Sequence, residues 1–154
     1  MNETHRYEVN VQWNSDRKGT LSSPVLPGTI EVATPPEFAK GMKDIWSPEH
    51  LFVAAVNSCI MTTFLAIAEN SKIEFISFDC NGIGKVEMVD GKYEITEIVL
   101  KPVLVVPPNQ KEERVRRILE MSENACVISR SIKTKVILET TVTLRHEEEY
   151  EMDN

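Results

Sequence analysis

The sequence predicts an α+β protein with the element order βββ-α-ββ-α-β and a long buried helix at its centre. Three patterns carry this prediction: period-two alternation at residues 5–14, a long apolar stretch at 47–70, and β-branched residues throughout 135–144. A length of 154 residues with 42% hydrophobic residues fits one domain with a packed core. We place this single domain at residues 1–146 and an acidic tail at 147–154.

Three short strands are predicted before the apolar stretch. Residues 5–14 alternate between apolar and polar side chains, which is typical of a half-buried strand. Asp16-Arg17-Lys18-Gly19 indicates a turn into a second strand, and from this pattern alone Arg17 is an ordinary solvated charge. A third strand is expected at 29–33, where Thr34-Pro35-Pro36 ends it because proline cannot extend a ladder.

The apolar stretch predicts one helix that begins at Ser47 and carries Cys59 near its middle. Ser47 is a preferred N-cap residue, and Pro48 suits the first helical position. No charged residue lies between His50 and Glu69, so the helix must be covered on all sides. Its length approaches that of a membrane span, but polar residues interrupt it and no second span exists, so we expect no membrane. A partner subunit is expected to complete the cover.

A hairpin is predicted after the central helix. Residues 73–87 and 93–106 flank the turn sequence Asp90-Gly91, which is a strong hairpin signal. Two glycines, Gly82 and Gly84, indicate a bulge in the first of these strands.

The last part of the chain predicts an amphipathic helix and a final strand. Asn109 and Glu112 indicate a capping box, and the helix that follows has one apolar stripe at Val115, Ile118 and Leu119. A short helix is expected at 127–132, and a single strand at 135–144.

Composition excludes several classes of function. The formal net charge is −7, but five of the 24 acidic residues lie in the tail, which leaves 19 acids against 17 bases. There is no basic stripe, so nucleic acid is not an expected partner. The three histidines share no i,i+4 spacing, and neither C-x-x-C, G-x-G-x-x-G nor a P-loop occurs, so we expect no metal and no other cofactor. No secretory signal is visible, which favours the cytoplasm.

Function is therefore sought in the three cysteines. Cys80 shares its phase with Ile76 and Phe78 and is expected to be a small core residue. A lone cysteine such as Cys59 in an apolar helix is usually a small hydrophobe as well. Cys126 makes a functional role of the cysteines more plausible than a purely structural one. It follows one predicted helix and precedes another, where free amides favour a thiolate. A second thiol there could resolve an oxidised first one.

Three segments resemble the OsmC/Ohr family of osmotically inducible and organic hydroperoxide resistance proteins. Ser47-Pro48-Glu49-His50-Leu51-Phe52-Val53-Ala54-Ala55 followed by Cys59 is similar to the family's (N/S/T)PE-x-L-(F/L)-x-A-A…C helix. The turn at 16–19 resembles its Arg-x-Gly turn. Ala125-Cys126 followed by Ser129 resembles its second-cysteine motif, 67 residues after Cys59. One residue departs from the pattern, because Val127 stands where the family commonly has proline.

The resemblance implies an intertwined homodimer and a thiol peroxidase that reduces organic hydroperoxides to alcohols. It implies that Cys59 is the peroxidatic thiol, Cys126 the resolving thiol, Arg17 the activator of the thiolate, and Glu49 the carboxylate partner of Arg17. Because Glu49 and Cys59 are about 15 Å apart along a helix, Arg17 must bridge them, or Arg17 and Glu49 serve the partner's Cys59. An external dithiol is expected to reduce the disulfide.

Substrate is expected to contact apolar residues that flank Cys59 in helical register, namely Phe52, Val56, Ile60 and Phe64. A closed core in which these side chains only pack is the alternative. Two other functions also stay open at this point: a ligand-binding or redox-sensing protein of the same fold without enzymatic activity, and a dimerising domain whose thiols are inert.

Overall fold

The structure is a computed structural model that describes residues 3–145. The acidic tail predicted at 147–154 lies outside the described residues. The chain divides into two compact units, Met1–Leu51 and Phe52–Asn154, and each is described by itself. The predicted α+β class and element order are confirmed, including the short helix expected after Cys126, but the last strand is divided in two.

The first unit holds a three-stranded antiparallel sheet of β1 (Asn10–Ser15), β2 (Lys18–Ser23) and β3 (Leu26–Ala33), in the order β1-β2-β3. The predicted turn joins β1 to β2, and Asp16 has a φ of 48° there. Strand β1 starts later than predicted, because its partner β2 ends at Ser23 and residues 3–9 pair with no strand of the described chain. The prediction that β1 is half-buried is wrong for the single chain, since Val11 and Trp13 are 68% and 73% exposed.

The predicted central helix is α1 (Pro48–Asn70), which begins in the first unit and continues through the second. Ser47 caps it as expected, because its Oγ accepts a hydrogen bond from the His50 amide at 3.1 Å. The helix is long and apolar enough to cross a membrane by length and composition alone. Among residues 3–145, its buried residues form one stripe, made of Val56, Ile60, Phe64 and Ala68. The described part of one chain therefore does not supply the expected cover on all sides.

The second unit contains a sheet built on β5 (Lys92–Val106). Strand β4 (Ser77–Val89) pairs with it in antiparallel fashion through the hairpin at Asp90-Gly91, where both residues have positive φ. Two short strands pair in parallel with the opposite edge of β5. They are β6 (Lys135–Leu138), which pairs with residues 97–100, and β7 (Thr141–Leu144), which pairs with residues 103–106.

The prediction of one strand at 135–144 is therefore wrong, and Pro102 of β5 explains the break between β6 and β7. The carbonyl of Leu100 accepts a hydrogen bond from the Glu139 amide, so Leu100 directs its backbone groups toward β6 and β7. Pro102 lies two residues later and faces the same side of β5, but proline has no N–H to donate there. The chain leaves the ladder at that point. The Thr140 carbonyl accepts instead from Arg116 Nη1 at 2.8 Å.

Two helices follow β5, namely α2 (Glu112–Ala125) and α3 (Val127–Arg130). The apolar stripe of α2 is confirmed, because Val115, Ile118 and Leu119 are buried. The predicted capping box is wrong. Lys111 occupies the N-cap position without a side-chain bond, while Asn109 belongs to a preceding turn in which the Gln110 amide bonds to the Pro107 carbonyl.

Two apolar cores hold the second unit together. One lies between the C-terminal half of α1, β5 and α2, and the other between the N-terminal half of α1, β5 and α3. Gly84 lets α1 approach β4 closely, because a Cβ there would lie 2.6 Å from Val53 Cγ2. The bulge predicted at the glycines lies one step later, between Lys85 and Val86.

Candidate active site

The fold of the second unit brings two cysteine thiols together. Cys59 lies in the fourth turn of α1 and is partly exposed, whereas Cys126 is 0% exposed. Cys126 forms the single-residue junction between α2 and α3. Its extended backbone (φ −64°, ψ 120°) ends one helix and starts the next, and its amide bonds to the Glu123 carbonyl at 3.2 Å. Both thiols are free, and the Cys126 side chain hydrogen-bonds toward the Cys59 sulfur.

The surroundings of Cys59 favour its thiolate. Burial alone raises the pKa of this thiol, but hydrogen bonds from the Cys126 side chain, the Ile128 amide, Thr63 and the Val127 amide together bring the pKa of Cys59 below its ordinary value. Thr63 Oγ1 lies 3.9 Å from Cys59 Sγ, one helical turn along α1. A thiolate is the nucleophilic form of cysteine, so Cys59 is the sulfur prepared for attack.

The surroundings of Cys126 have the opposite effect. Burial and the neighbouring Cys59 raise the pKa of Cys126, while the amide and hydroxyl of Ser129 oppose this change. Of the amides of α3, that of Ser129 favours a Cys126 thiolate as expected, but burial and Cys59 outweigh it. The amides of Val127 and Ile128 bond toward the Cys59 sulfur instead.

Three groups that bond to the Cys59 sulfur were not predicted from the sequence: the Thr63 hydroxyl and the amides of Val127 and Ile128. Thr63 could have been predicted, since it lies at i+4 from Cys59 on the same helix. The two amides could not, because their direction depends on how α3 turns away from α2. Val127, which departs from the family pattern, contributes an N–H that a proline in its place would lack.

Cys80 lies apart from this chemistry. It is partly buried and packs against the second apolar core, which confirms the prediction of a small core residue. Burial raises the pKa of Cys80 to about 11, so its thiolate is rare at neutral pH.

Arg17 and Glu49 both lie in the first unit, where the structure does not join them. Arg17 is exposed in the β1–β2 turn, and no ion pair links the two side chains within residues 3–145. Glu49 lies in the first turn of α1, and its Oε2 is enclosed without a hydrogen-bond partner among the described residues. An enclosed carboxylate oxygen without a donor is costly, which is the situation that a guanidinium relieves. The roles of Arg17 and Glu49 stay predictions.

The predicted substrate residues divide into two groups. Val56, Ile60 and Phe64 have no exposed surface, and Phe64 stacks on Phe78 with ring centroids 5.3 Å apart. Contact between these three and a substrate requires side-chain movement. Phe52 is partly exposed and lines a cavity of about 400 Å³ together with Ile95 and Ile132, Thr134 and the ion-paired Glu94 and Lys133.

An α+β chain whose apolar central helix places one activated thiol beside a second, buried thiol has the features of a dithiol redox protein. Residues 41–141 match the family described as OsmC-like protein. The chain belongs to this family, the OsmC/Ohr family, as the sequence resemblance implied.

Individual relatives are distant in sequence but cover nearly the whole chain. The uncharacterized protein YmaD of Bacillus subtilis is 23% identical over 146 residues, which cover 92% of this chain and 95% of that protein. An OsmC-like protein of unknown function from Vibrio cholerae is 23% identical with a TM-score of 0.81, covering 89% of this chain and 99% of that chain.

A structure named as an organic hydroperoxide resistance protein OsmC comes from Legionella pneumophila. It is 15% identical with a TM-score of 0.74, and the match covers 93% of this chain and 100% of that one. At such identities these solved structures establish the fold alone.

Proposed function

We propose that the protein is a cysteine-dependent peroxidase that reduces organic hydroperoxides to alcohols. The observation that carries this proposal is the pair of facing thiols, in which the pKa of Cys59 is lowered and that of Cys126 is raised. The Cys59 sulfur favours the nucleophilic thiolate, while Cys126 stays protonated beside it. A peroxidatic and a resolving cysteine require these two different states. Family neighbours named for organic hydroperoxide resistance support the same substrate class.

The proposed catalytic cycle assigns peroxide attack to Cys59 and disulfide formation to Cys126. The Cys59 thiolate attacks the distal peroxide oxygen, the O–O bond breaks, and the alkoxide leaves and takes a proton to become an alcohol. Cys59 is then a sulfenic acid. Cys126 attacks its sulfur, water leaves, and a Cys59–Cys126 disulfide forms. An external dithiol, as expected in the reducing cytoplasm, returns both cysteines to thiols.

One experiment tests the proposal directly. Protein treated with one equivalent of cumene hydroperoxide is digested without reductant and analysed by mass spectrometry. We expect a Cys59–Cys126 disulfide and an equal amount of cumyl alcohol. Recovery of both thiols with intact peroxide would exclude the reaction and favour a ligand-binding role for the fold.

The second part of the proposal is a homodimer, which we expect to sediment as a dimer at micromolar concentration. Its support is the uncovered side of α1, where Met61 and Leu65 are 38% and 40% exposed on a helix without a charged face. Leu65→Glu should convert dimer to monomer, because it places a charge in an apolar interface. A wild-type protein that is folded and monomeric at this concentration would contradict the dimer.

Turnover is expected to favour bulky organic hydroperoxides over hydrogen peroxide in kcat/KM. Each buried methylene contributes about 0.8 kcal/mol, so a few alkyl carbons held by apolar side chains give roughly tenfold or more. Phe52→Ala should reduce this preference, since Phe52 is the exposed member of the predicted substrate residues. Equal kcat/KM for cumene hydroperoxide and hydrogen peroxide in the wild type would contradict an apolar substrate site.

We further propose that Arg17 supports the Cys59 thiolate and is held by Glu49, directly or across the dimer. The enclosed and unpartnered Oε2 of Glu49 supports a cationic partner. Arg17→Ala should raise the pKa of Cys59 by about one unit, which corresponds to about 1.4 kcal/mol of lost thiolate stabilisation. Arg17→Lys should restore only part of it, because an ammonium lacks the two-pronged geometry.

The titration is followed by the ultraviolet absorbance of the thiolate, and Arg6→Ala serves as the matched control. Arg6 is another exposed arginine of the first unit to which no role is assigned. An unchanged titration in Arg17→Ala would leave the amides of α3, Thr63 and Cys126 as the sole activators.

A further inference from the structure

Ser129 carries a hydroxyl whose position is unusual for a helical serine. Serines in helices and at their C-caps commonly donate to the carbonyl one turn back, as Ser122 of α2 does to Ile118 O and the C-cap Ser131 does to Val127 O, both at 2.7 Å. Ser129 Oγ is instead enclosed and makes no hydrogen bond of ordinary geometry among residues 3–145, although it lies close enough to the Cys126 sulfur to oppose the rise in the pKa of that thiol. An enclosed polar atom of this kind calls for a physical explanation, because it has lost water without gaining a partner.

The neighbouring Cys126 sulfur provides the explanation. Ser129 lies three residues after Cys126 on the same short turn, where the Arg130 amide bonds to the Cys126 carbonyl at 3.0 Å. The Ser129 amide and hydroxyl both favour the charged form of Cys126. We propose that the Ser129 hydroxyl donates a hydrogen bond to the Cys126 sulfur whenever that sulfur carries negative charge, a role that rests on the peroxidase function proposed above.

Negative charge forms on Cys126 first when the disulfide is made. The Cys126 thiol gives up its proton, and its sulfur attacks the sulfur of the Cys59 sulfenic acid. The S–S bond forms as the S–O bond breaks, and the departing hydroxide takes the proton and becomes water. Burial and Cys59 both resist charge on Cys126, so a donor at this sulfur lowers the barrier to attack.

The charge forms again when the disulfide is reduced. Cys126 is 0% exposed, whereas Cys59 is partly exposed and must be reachable by peroxide. A thiolate of the external dithiol therefore attacks the Cys59 sulfur. The S–S bond breaks, its electron pair passes to Cys126, and a mixed disulfide forms on Cys59. The second thiol of the dithiol then releases Cys59. A leaving thiolate in a closed site needs a donor, and the Ser129 hydroxyl is beside it.

Ser129→Ala tests the proposal in three rate measurements. They are sulfenic acid formation at Cys59 with one equivalent of cumene hydroperoxide, disulfide formation after it, and reduction of the disulfide by dithiothreitol. We expect the second and third rates to fall about tenfold or more, as for loss of a hydrogen bond to a charged group, and the first to change less than about twofold. The pH midpoint of disulfide formation should also move upward.

Matched variants separate the hydroxyl from the fold. Ser131→Ala removes a hydroxyl of the same segment that bonds elsewhere, and it should behave as wild type. If Ser129→Ala does not fold, the rates of Ser129→Thr and Ser129→Val are compared instead. The two side chains have similar volumes, but only threonine keeps the hydroxyl. Equal rates within the pair, unchanged rates in Ser129→Ala, or equal slowing of all three steps would overturn the role of Ser129. Absence of any oxidation of Cys59 in the wild type, as sulfenic acid or as disulfide, would instead overturn the peroxidase function.

Discussion

Cys59→Ser should lose peroxide turnover completely, whereas Cys80→Ser should keep most of it. A serine hydroxyl cannot form a sulfenic acid, so the first variant falls to the rate of the uncatalysed reaction. The pKa of Cys80 is raised to about 11, so only about one thiol in ten thousand is ionised at pH 7, and the side chain packs against a core. We therefore expect peroxide to be reduced at Cys59 and not at Cys80.

The two variants are compared by kcat/KM for cumene hydroperoxide under identical reductant. Cys80→Ser is the matched control, because it makes the same atomic change in the same unit and exposes any general effect on folding. Its expected cost is about 1 kcal/mol of stability from a half-buried hydroxyl. Equal loss of activity in both variants would contradict the assignment of Cys59.

The pH dependence of the first step adds a second check on Cys59. Its pKa is lowered, so the thiolate persists below the ordinary thiol pKa, and sulfenic acid formation stays fast down to that lowered value. The rate then falls as the pH drops through the lowered pKa, because protonated sulfur does not attack. A midpoint at the ordinary pKa of a free cysteine would show that the amides and Cys126 do not act on Cys59.

Local signals explain why most of the fold was predictable. The Ser47 cap, the Asp90-Gly91 hairpin and the stripe of α2 each depend on neighbouring residues, and each is confirmed. The failures depend on distant residues. The break between β6 and β7 is set by Pro102 on another strand, and the failed capping box by a turn that places Asn109 outside the cap position.

In the candidate site, too, the features set by local sequence were predictable and those set by the packing of distant elements were not. The sequence predicted Cys59 and Cys126 as a functional pair from their resemblance to a known motif, and the structure places the two thiols beside each other. The sequence also predicted that the free amides after Cys126 stabilise a Cys126 thiolate, whereas those of Val127 and Ile128 bond toward Cys59, a direction that depends on how α3 is oriented against α1. The orphan hydroxyl of Ser129 was equally invisible, since hydrogen-bond satisfaction is a property of packing.

Cys126→Ser should reduce one equivalent of peroxide and then stop. Cys59 keeps its amides and Thr63, so the first attack proceeds. The sulfenic acid has no neighbouring thiol to condense with, because Cys80 is held in the core with a pKa of about 11. Excess peroxide then oxidises the trapped sulfenic acid to sulfinic acid, which thiols do not reverse.

The trapped state is measured by mass spectrometry, with and without a reagent that captures sulfenic acid. With one equivalent of peroxide, we expect one added oxygen on Cys59 and no disulfide, whereas excess peroxide should give two added oxygens. The serine hydroxyl at position 126 can still donate a hydrogen bond to the Cys59 sulfur, so the pKa of Cys59 should stay below its ordinary value and the first step should keep its rate. Since only Cys126 lies beside Cys59 as a second thiol, sustained wild-type cycling with a dithiol in Cys126→Ser would remove Cys126 from the mechanism.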